Sequence, residues 1–134
     1  MSPHMSFRHR PTHSNIQASR ELIPGSARAL MRAIGGATEA LNKLAVAEQG
    51  DPTAVVAAVA AWKRAAAEID ARVDDLLSLA ILGGAAVSTT ARATGQRPET
   101  LATRLAASPV AQLRGLDLVR VGDEWVVDTS AATP

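Results

Sequence analysis

Residues 52–82 constrain this chain most. Apolar side chains recur there at Val55, Val59, Trp62, Ala66, Ile69, Val73, Leu76 and Ala80, alternating steps of four and three over more than three heptads. That period belongs to a long helix with one packing seam. Gly50 reads as the left-handed residue that closes a preceding helix, Asp51 as an N-cap and Pro52 as a first-turn residue.

The preceding helix is expected to start after Pro24-Gly25, with Ser26 as its N-cap, and to run to about Gln49. Its apolar positions Leu30, Ile34, Ala37, Leu41 and Leu44 keep the same alternation. So short a connection implies an antiparallel helical hairpin over residues 24–75. A hairpin alone would satisfy one seam on each helix. The second helix carries more: an alanine face at Ala54, Ala58, Ala61 and Ala65, and a final stretch, LLSLAIL, that is apolar on nearly every side. A helix apolar all round is buried all round. Its C-terminal end is therefore expected to insert into the domain that follows. Its N-terminal part is expected to pack against a second copy of the chain, with Leu30, Ile34, Leu41, Val55, Val59, Trp62 and Ile69 at the homodimer interface. Burial of such side chains at roughly 1.5–3 kcal/mol each favours a four-helix, coiled-coil-like dimer over a lone hairpin.

Composition bounds the rest. With 47% hydrophobic residues but one Phe, two Trp and no Tyr, the core must be aliphatic and thin. The absence of cysteine excludes disulfides and thiolate metal sites. The longest apolar run, residues 76–87, is too short for a bilayer span, and the opening MSPHMSFRHRPTHSN lacks the apolar stretch of a signal peptide, so a cytoplasmic, membrane-free protein is expected. Residues 1–23 read as a disordered basic tail. Its histidines His4, His9 and His13 have no carboxylate or thiolate at ligand spacing, so no metal site is expected. No Gly-rich phosphate loop or paired-carboxylate constellation stands out, and Asp74-Asp75 reads as a solvated helix face. The expectation is a protein that is not an enzyme and needs no cofactor.

Net charge is only +1, so no global basic field announces a partner. The distribution says more. Residues 83–120 carry Arg92, Arg97, Arg104, Arg114 and Arg120 against Glu99 and Asp117, whereas the middle is acidic. Arginine abundance together with alanine also fits a GC-rich bacterial genome.

After Gly83-Gly84 the pattern changes. Ser88, Thr89 and Thr90 suit the start of a short helix that ends at Gly95, and Pro98 suits the first turn of another, running to about Ala107 with Leu101 and Leu105 on one face. Ser108-Pro109 begins a last helical turn that Gly115 closes. In LDLVRVGDEWVVD, β-branched residues flank Gly122-Asp123, which predicts a hairpin of about 118–121 with 125–128.

Helix, helix, turn, helix and two-stranded hairpin in that order, with Ala91 four before Gly95, Thr94-Gly95 at the turn, Leu101 and Leu105 beyond it and GLDLVRVGDEW as the wing, resemble the winged helix-turn-helix family of DNA-binding domains over about residues 76–128. The chain departs from that family at Gln96, usually aliphatic, and at Arg104, a place often apolar. Joined to the hairpin read above, the resemblance implies a mainly α fold: a helical hairpin whose long central helix leads into a winged helix-turn-helix domain over residues 76–130. It further implies that Pro98–Ala107 enters the major groove of double-stranded DNA, with Arg97, Glu99, Thr100, Thr103 and Arg104 facing bases or flanking phosphates. Thr89 and Thr90 would meet phosphate, and Arg120 on the wing would reach backbone or minor groove. The resulting expectation is a dimeric transcriptional regulator or a plasmid- or phage-type site-binding factor. Its rival is a winged-helix module that binds protein instead, since fold does not fix function; the weak net charge favours the rival, the local arginine excess favours DNA. A small-molecule effector is not identifiable from the residues.

Overall fold

The computed structural model describes residues 5–130. Among them are four α-helices and one antiparallel pair of strands: α1 (His13–Val46), α2 (Pro52–Leu82), α3 (Val87–Ala93), α4 (Pro98–Ala106), β1 (Leu118–Val121) and β2 (Glu124–Val127). Single 3-10 turns lie at Met5–Arg8 and Ala111–Leu113. The mainly helical expectation holds. The chain forms two compact units, one of residues 25–73 and one that joins the residues up to Pro24 to those from Asp74 onward.

The start of α1 corrects the sequence reading. The helix begins at His13 rather than at Ser26, so residues 5–23 are not a disordered tail; residues 1–4, His4 among them, lie outside the described residues. The cause is a reciprocal cap. Thr12 Oγ1 accepts the backbone N–H of Asn15 at 3.1 Å, and Asn15 Oδ1 accepts that of Thr12 at 2.9 Å. This is capping-box geometry with Asn in the place usually held by Glu or Gln. Pro24 then sits inside the helix, where it has no N–H for the Arg20 carbonyl. Proline in a helix interior costs about 3 kcal/mol, which propensity alone does not recover; the turns before it are held by buried contacts instead.

Those contacts are polar as well as apolar. Asn15 is fully buried, and beyond its cap it donates from Nδ2 to the carbonyls of Leu116 at 2.8 Å and Leu113 at 3.3 Å and accepts the N–H of Gly115 at 2.9 Å. Ser14 Oγ accepts the N–H of Leu118 at the head of β1, at 2.8 Å. Ser19 Oγ donates to the Leu79 carbonyl at 2.7 Å. A Cβ on Gly83 would fall 2.5 Å from that Ser19 hydroxyl, so glycine is what permits this approach. Arg114 is 9% exposed, and its guanidinium donates to three carbonyls: His9 at 2.8 Å from Nε, Ala85 at 2.7 Å and Ile81 at 3.3 Å from Nη1. Burial pulls its pKa below the usual arginine value.

The last turns of α2 divide the apolar core of this unit. Ile81 packs with Ala91, Leu101, Leu105 and Ala111, joined by Phe7, Leu77, Ala85 and Val87. Leu79 and Leu82 turn to Ala18 of α1 and Leu118 of β1, joined by Val110, Leu113 and Trp125. Insertion of the LLSLAIL stretch into the domain that follows is thus observed, and its all-round apolarity is explained by two clusters on two sides. In the strand pair, Leu118 faces Val127 and Val121 faces Glu124. β2 therefore starts one residue earlier than read, and Gly122 takes the expected positive φ of 63°.

In the unit of residues 25–73, Asp51 Oδ1 accepts the N–H of Thr53 at 3.1 Å, the expected N-cap of α2. The preceding helix ends at Val46 rather than near Gln49, and Gly50 is not among the glycines with positive φ; the left-handed closure expected there is absent. Of the apolar residues here only the alanines Ala37 and Ala58 are buried. Leu30, Ile34, Leu41 and Ile69 are half-buried, whereas Val55, Val59 and Trp62 are 46%, 44% and 39% exposed. Within one chain the alanine face at Ala58 is covered and the valine–tryptophan seam is not. No described helix is long and apolar enough to cross a membrane.

Candidate nucleic-acid interface

α3 and α4 are joined by a turn whose geometry follows from its residues. The N–H of Gln96 bonds the Ala91 carbonyl at 2.8 Å and that of Gly95 the Arg92 carbonyl at 3.3 Å, the paired bonds of a Schellman closure. Gly95 supplies the left-handed residue such a closure needs, with φ 73°. Thr94 Oγ1 donates back to the Thr90 carbonyl at 2.9 Å. Arg97 is extended and precedes Pro98 at the first position of α4; no side chain caps the helix start. Leu101, Ala102 and Leu105 bury one face of α4.

The opposite face carries the predicted residues. Arg97, Glu99, Thr100 and Thr103 are exposed, as is Thr89 on α3, while Thr90 is half-buried. Thr103 Oγ1 donates to the Glu99 carbonyl at 2.9 Å. Among the described residues Arg97 and Arg92 take part in no ion pair, so two guanidinium groups border the turn uncompensated. Arg92 was not singled out from sequence. Its signal was the local excess of arginine, which does not say which members are already spent on the protein itself.

Two of the predicted arginines are spent in that way. Arg104 donates from Nη1 to Gln96 Oε1 at 2.7 Å and pairs through Nη2 with the Asp74 carboxylate. The two positions that depart from the family pattern thus meet each other, and Asp74 is not simply a solvated helix residue. Arg120 pairs through Nη1 with Glu21 Oε2 at 3.1 Å and donates from Nε to the Gly122 carbonyl at 3.1 Å. The same Glu21 oxygen accepts the indole N–H of Trp125, the cross-strand neighbour of Arg120, at 3.1 Å. One carboxylate on α1 therefore holds both sides of the strand pair.

Comparison with models of protein families, with curated proteins and with solved structures found no match.

Proposed function

We propose that this protein binds double-stranded DNA sequence-specifically as a cytoplasmic homodimer, acting as a transcriptional regulator or a plasmid- or phage-type site-binding factor. In this reading residues 76–130 work as a winged helix-turn-helix domain: α4 lies in the major groove and the β1–β2 hairpin is the wing. The observation that carries it is the α3–Gly95–α4 unit, which buries Leu101 and Leu105 and leaves Arg97, Thr100 and Thr103 exposed on the outer side of α4. Arg92 and Arg97 supply the uncompensated charge that phosphate or guanine would take up. The uncapped start of α4 offers backbone N–H groups to an anion as well.

The dimer is supported by the unit of residues 25–73. Only two alanines of this unit are fully buried, its large apolar side chains being at best half-buried, and exposed Val55, Val59 and Trp62 lie on the seam that a second copy would cover. A two-fold dimer presents two copies of α4. Its site is then an inverted repeat with half-site centres about one turn of the double helix, or a multiple, apart.

Selection of bound sequences from a random duplex pool tests binding, symmetry and spacing together. Recovery of an inverted repeat is the expected result. Failure to enrich any sequence, with weak binding that vanishes in moderate salt, would hand the domain to the protein-interaction reading.

A further inference from the structure

Phe7, Val87, Pro98 and Ala102 line an open cleft of about 510 Å³ in the unit that contains α3 and α4. The volume is that of a small-molecule site, and the walls combine an apolar side with a few polar groups. Arg114 is part of its lining, a residue only 9% exposed and, among the described residues, without a carboxylate partner. Its Nε and Nη1 are taken by carbonyls, and no acceptor among the described residues meets Nη2. A buried cation with open donors beside apolar walls is a receptor for an anion attached to an apolar body. Arg8 adds a second cation to the lining and Glu99 one carboxylate. The balance is a single positive charge, which matches a monoanion and disfavours a dianion such as phosphate.

We infer that this cleft binds a small amphipathic monocarboxylate, its carboxylate on Arg114 and its apolar part against Phe7, Val87, Pro98 and Ala102. The cleft joins four segments of the chain: the 3-10 turn at Met5–Arg8, the start of α3, the first turns of α4, and Arg114 just after the 3-10 turn at Ala111–Leu113. Occupancy holds the N-terminal turn to α4. That α4 is also the DNA-reading helix rests on the function proposed above; the binding itself does not.

The test is a titration of the full-length, isotopically labelled chain, followed by backbone amide shifts. The probes are phenylacetate and octanoate, with phenylacetamide and octanamide as uncharged controls and inorganic phosphate as the apolar-free anion. Saturating shifts confined to residues 7–8, 86–88, 98–102 and 114 are expected, with the carboxylates binding about tenfold more tightly than the amides, the effect of one charged hydrogen bond. Ser88→Trp, at an exposed lining residue, should abolish those shifts without changing thermal unfolding, and Arg8→Gln should weaken them; Arg114 itself is spared because it also ties three carbonyls. Shifts that do not saturate or scatter over the surface, amides that bind as tightly as the acids, or phosphate that binds as tightly as phenylacetate each overturn the inference. A chain that binds the carboxylates at this cleft but no duplex DNA keeps the site and loses the functional reading, so the two failures are distinguishable.

Discussion

Asn15 Oδ1 accepts the backbone N–H of Gly115 at 2.9 Å across 100 residues of sequence, while the same oxygen caps the first turn of α1. One buried carboxamide thereby starts a helix and fastens it to the segment that leads into β1. Its remaining donors reach Leu113 and Leu116, so every hydrogen-bonding position of the side chain is used.

Asn15→Ala should therefore destabilise the protein by about 2–4 kcal/mol, because it strands a buried N–H and carbonyl oxygens as well as losing the bonds. Urea unfolding of the variant reads the loss. Removal of residues 1–12, which takes away Thr12, Phe7 and the His9 carbonyl bound by Arg114, should be at least as damaging. A change below about 0.5 kcal/mol, the range of ordinary surface substitutions, would contradict the role given to the N-terminal segment.

Arg104 and Arg97 should behave differently although both flank the proposed reading surface. Arg104 is held by Gln96 and Asp74 with its side chain 40% exposed, so a double-mutant cycle of Arg104→Ala with Asp74→Ala should yield a stability coupling below about 1 kcal/mol. Its loss should alter base preference little. Arg97→Ala or Thr103→Ala should leave urea unfolding unchanged and cost about 1–3 kcal/mol of discrimination at particular base pairs. Fluorescence anisotropy on a selected site and its single-base variants separates these patterns. Folded Arg97 and Thr103 variants that bind every duplex as the parent does would remove α4 from the groove.

If the wing meets DNA as proposed, Glu21 competes with phosphate for Arg120. In the parent chain Arg120→Ala should change the slope of log affinity against log salt by much less than one unit. Glu21→Gln removes the nearer of the two carboxylates beside the guanidinium, the other being Asp123 at 4.0 Å, and should strengthen binding to most duplexes alike, with a slope steeper by up to about one. Arg120→Ala placed on Glu21→Gln should return the slope to the parent value. Equal slopes in all four proteins would exclude Arg120 as a DNA contact.

Charge placed in the proposed seam should break the dimer. Val59→Asp or Ile69→Asp leaves an unpaired carboxylate where a second copy would bury it, a cost of several kcal/mol in an apolar interface. Sedimentation equilibrium should show a parent dimer at micromolar concentration and a monomeric or unfolded variant. A parent that sediments as a monomer at tens of micromolar would sink the dimer.

Much of this structure is legible residue by residue. The four–three alternation sets α2, Asp51 caps it, Gly95 and Pro98 mark the break between α3 and α4, Leu101 and Leu105 are buried as their spacing requires, and Gly122 turns the hairpin. Each of these is decided within a few residues, by periodicity, by a cap or by a backbone angle that glycine adopts without strain. The start of α1 was not legible in that way. Thr12 and Asn15 form a cap that propensity alone leaves weak, and it holds because Asn15 also finds Gly115, Leu113 and Leu116, partners that only the folded chain brings to it. The same holds for the arginines. Sequence shows how many there are, but whether one is buried on carbonyls like Arg114, neutralised by a carboxylate like Arg104 and Arg120, or left uncompensated like Arg92 and Arg97 depends on partners from distant segments. Periodicity and capping act over one or two turns of chain, so the sequence determined the elements; charge and hydrogen-bond pairing act over distance in space, so only the tertiary structure decided which side chains remain free to meet another molecule.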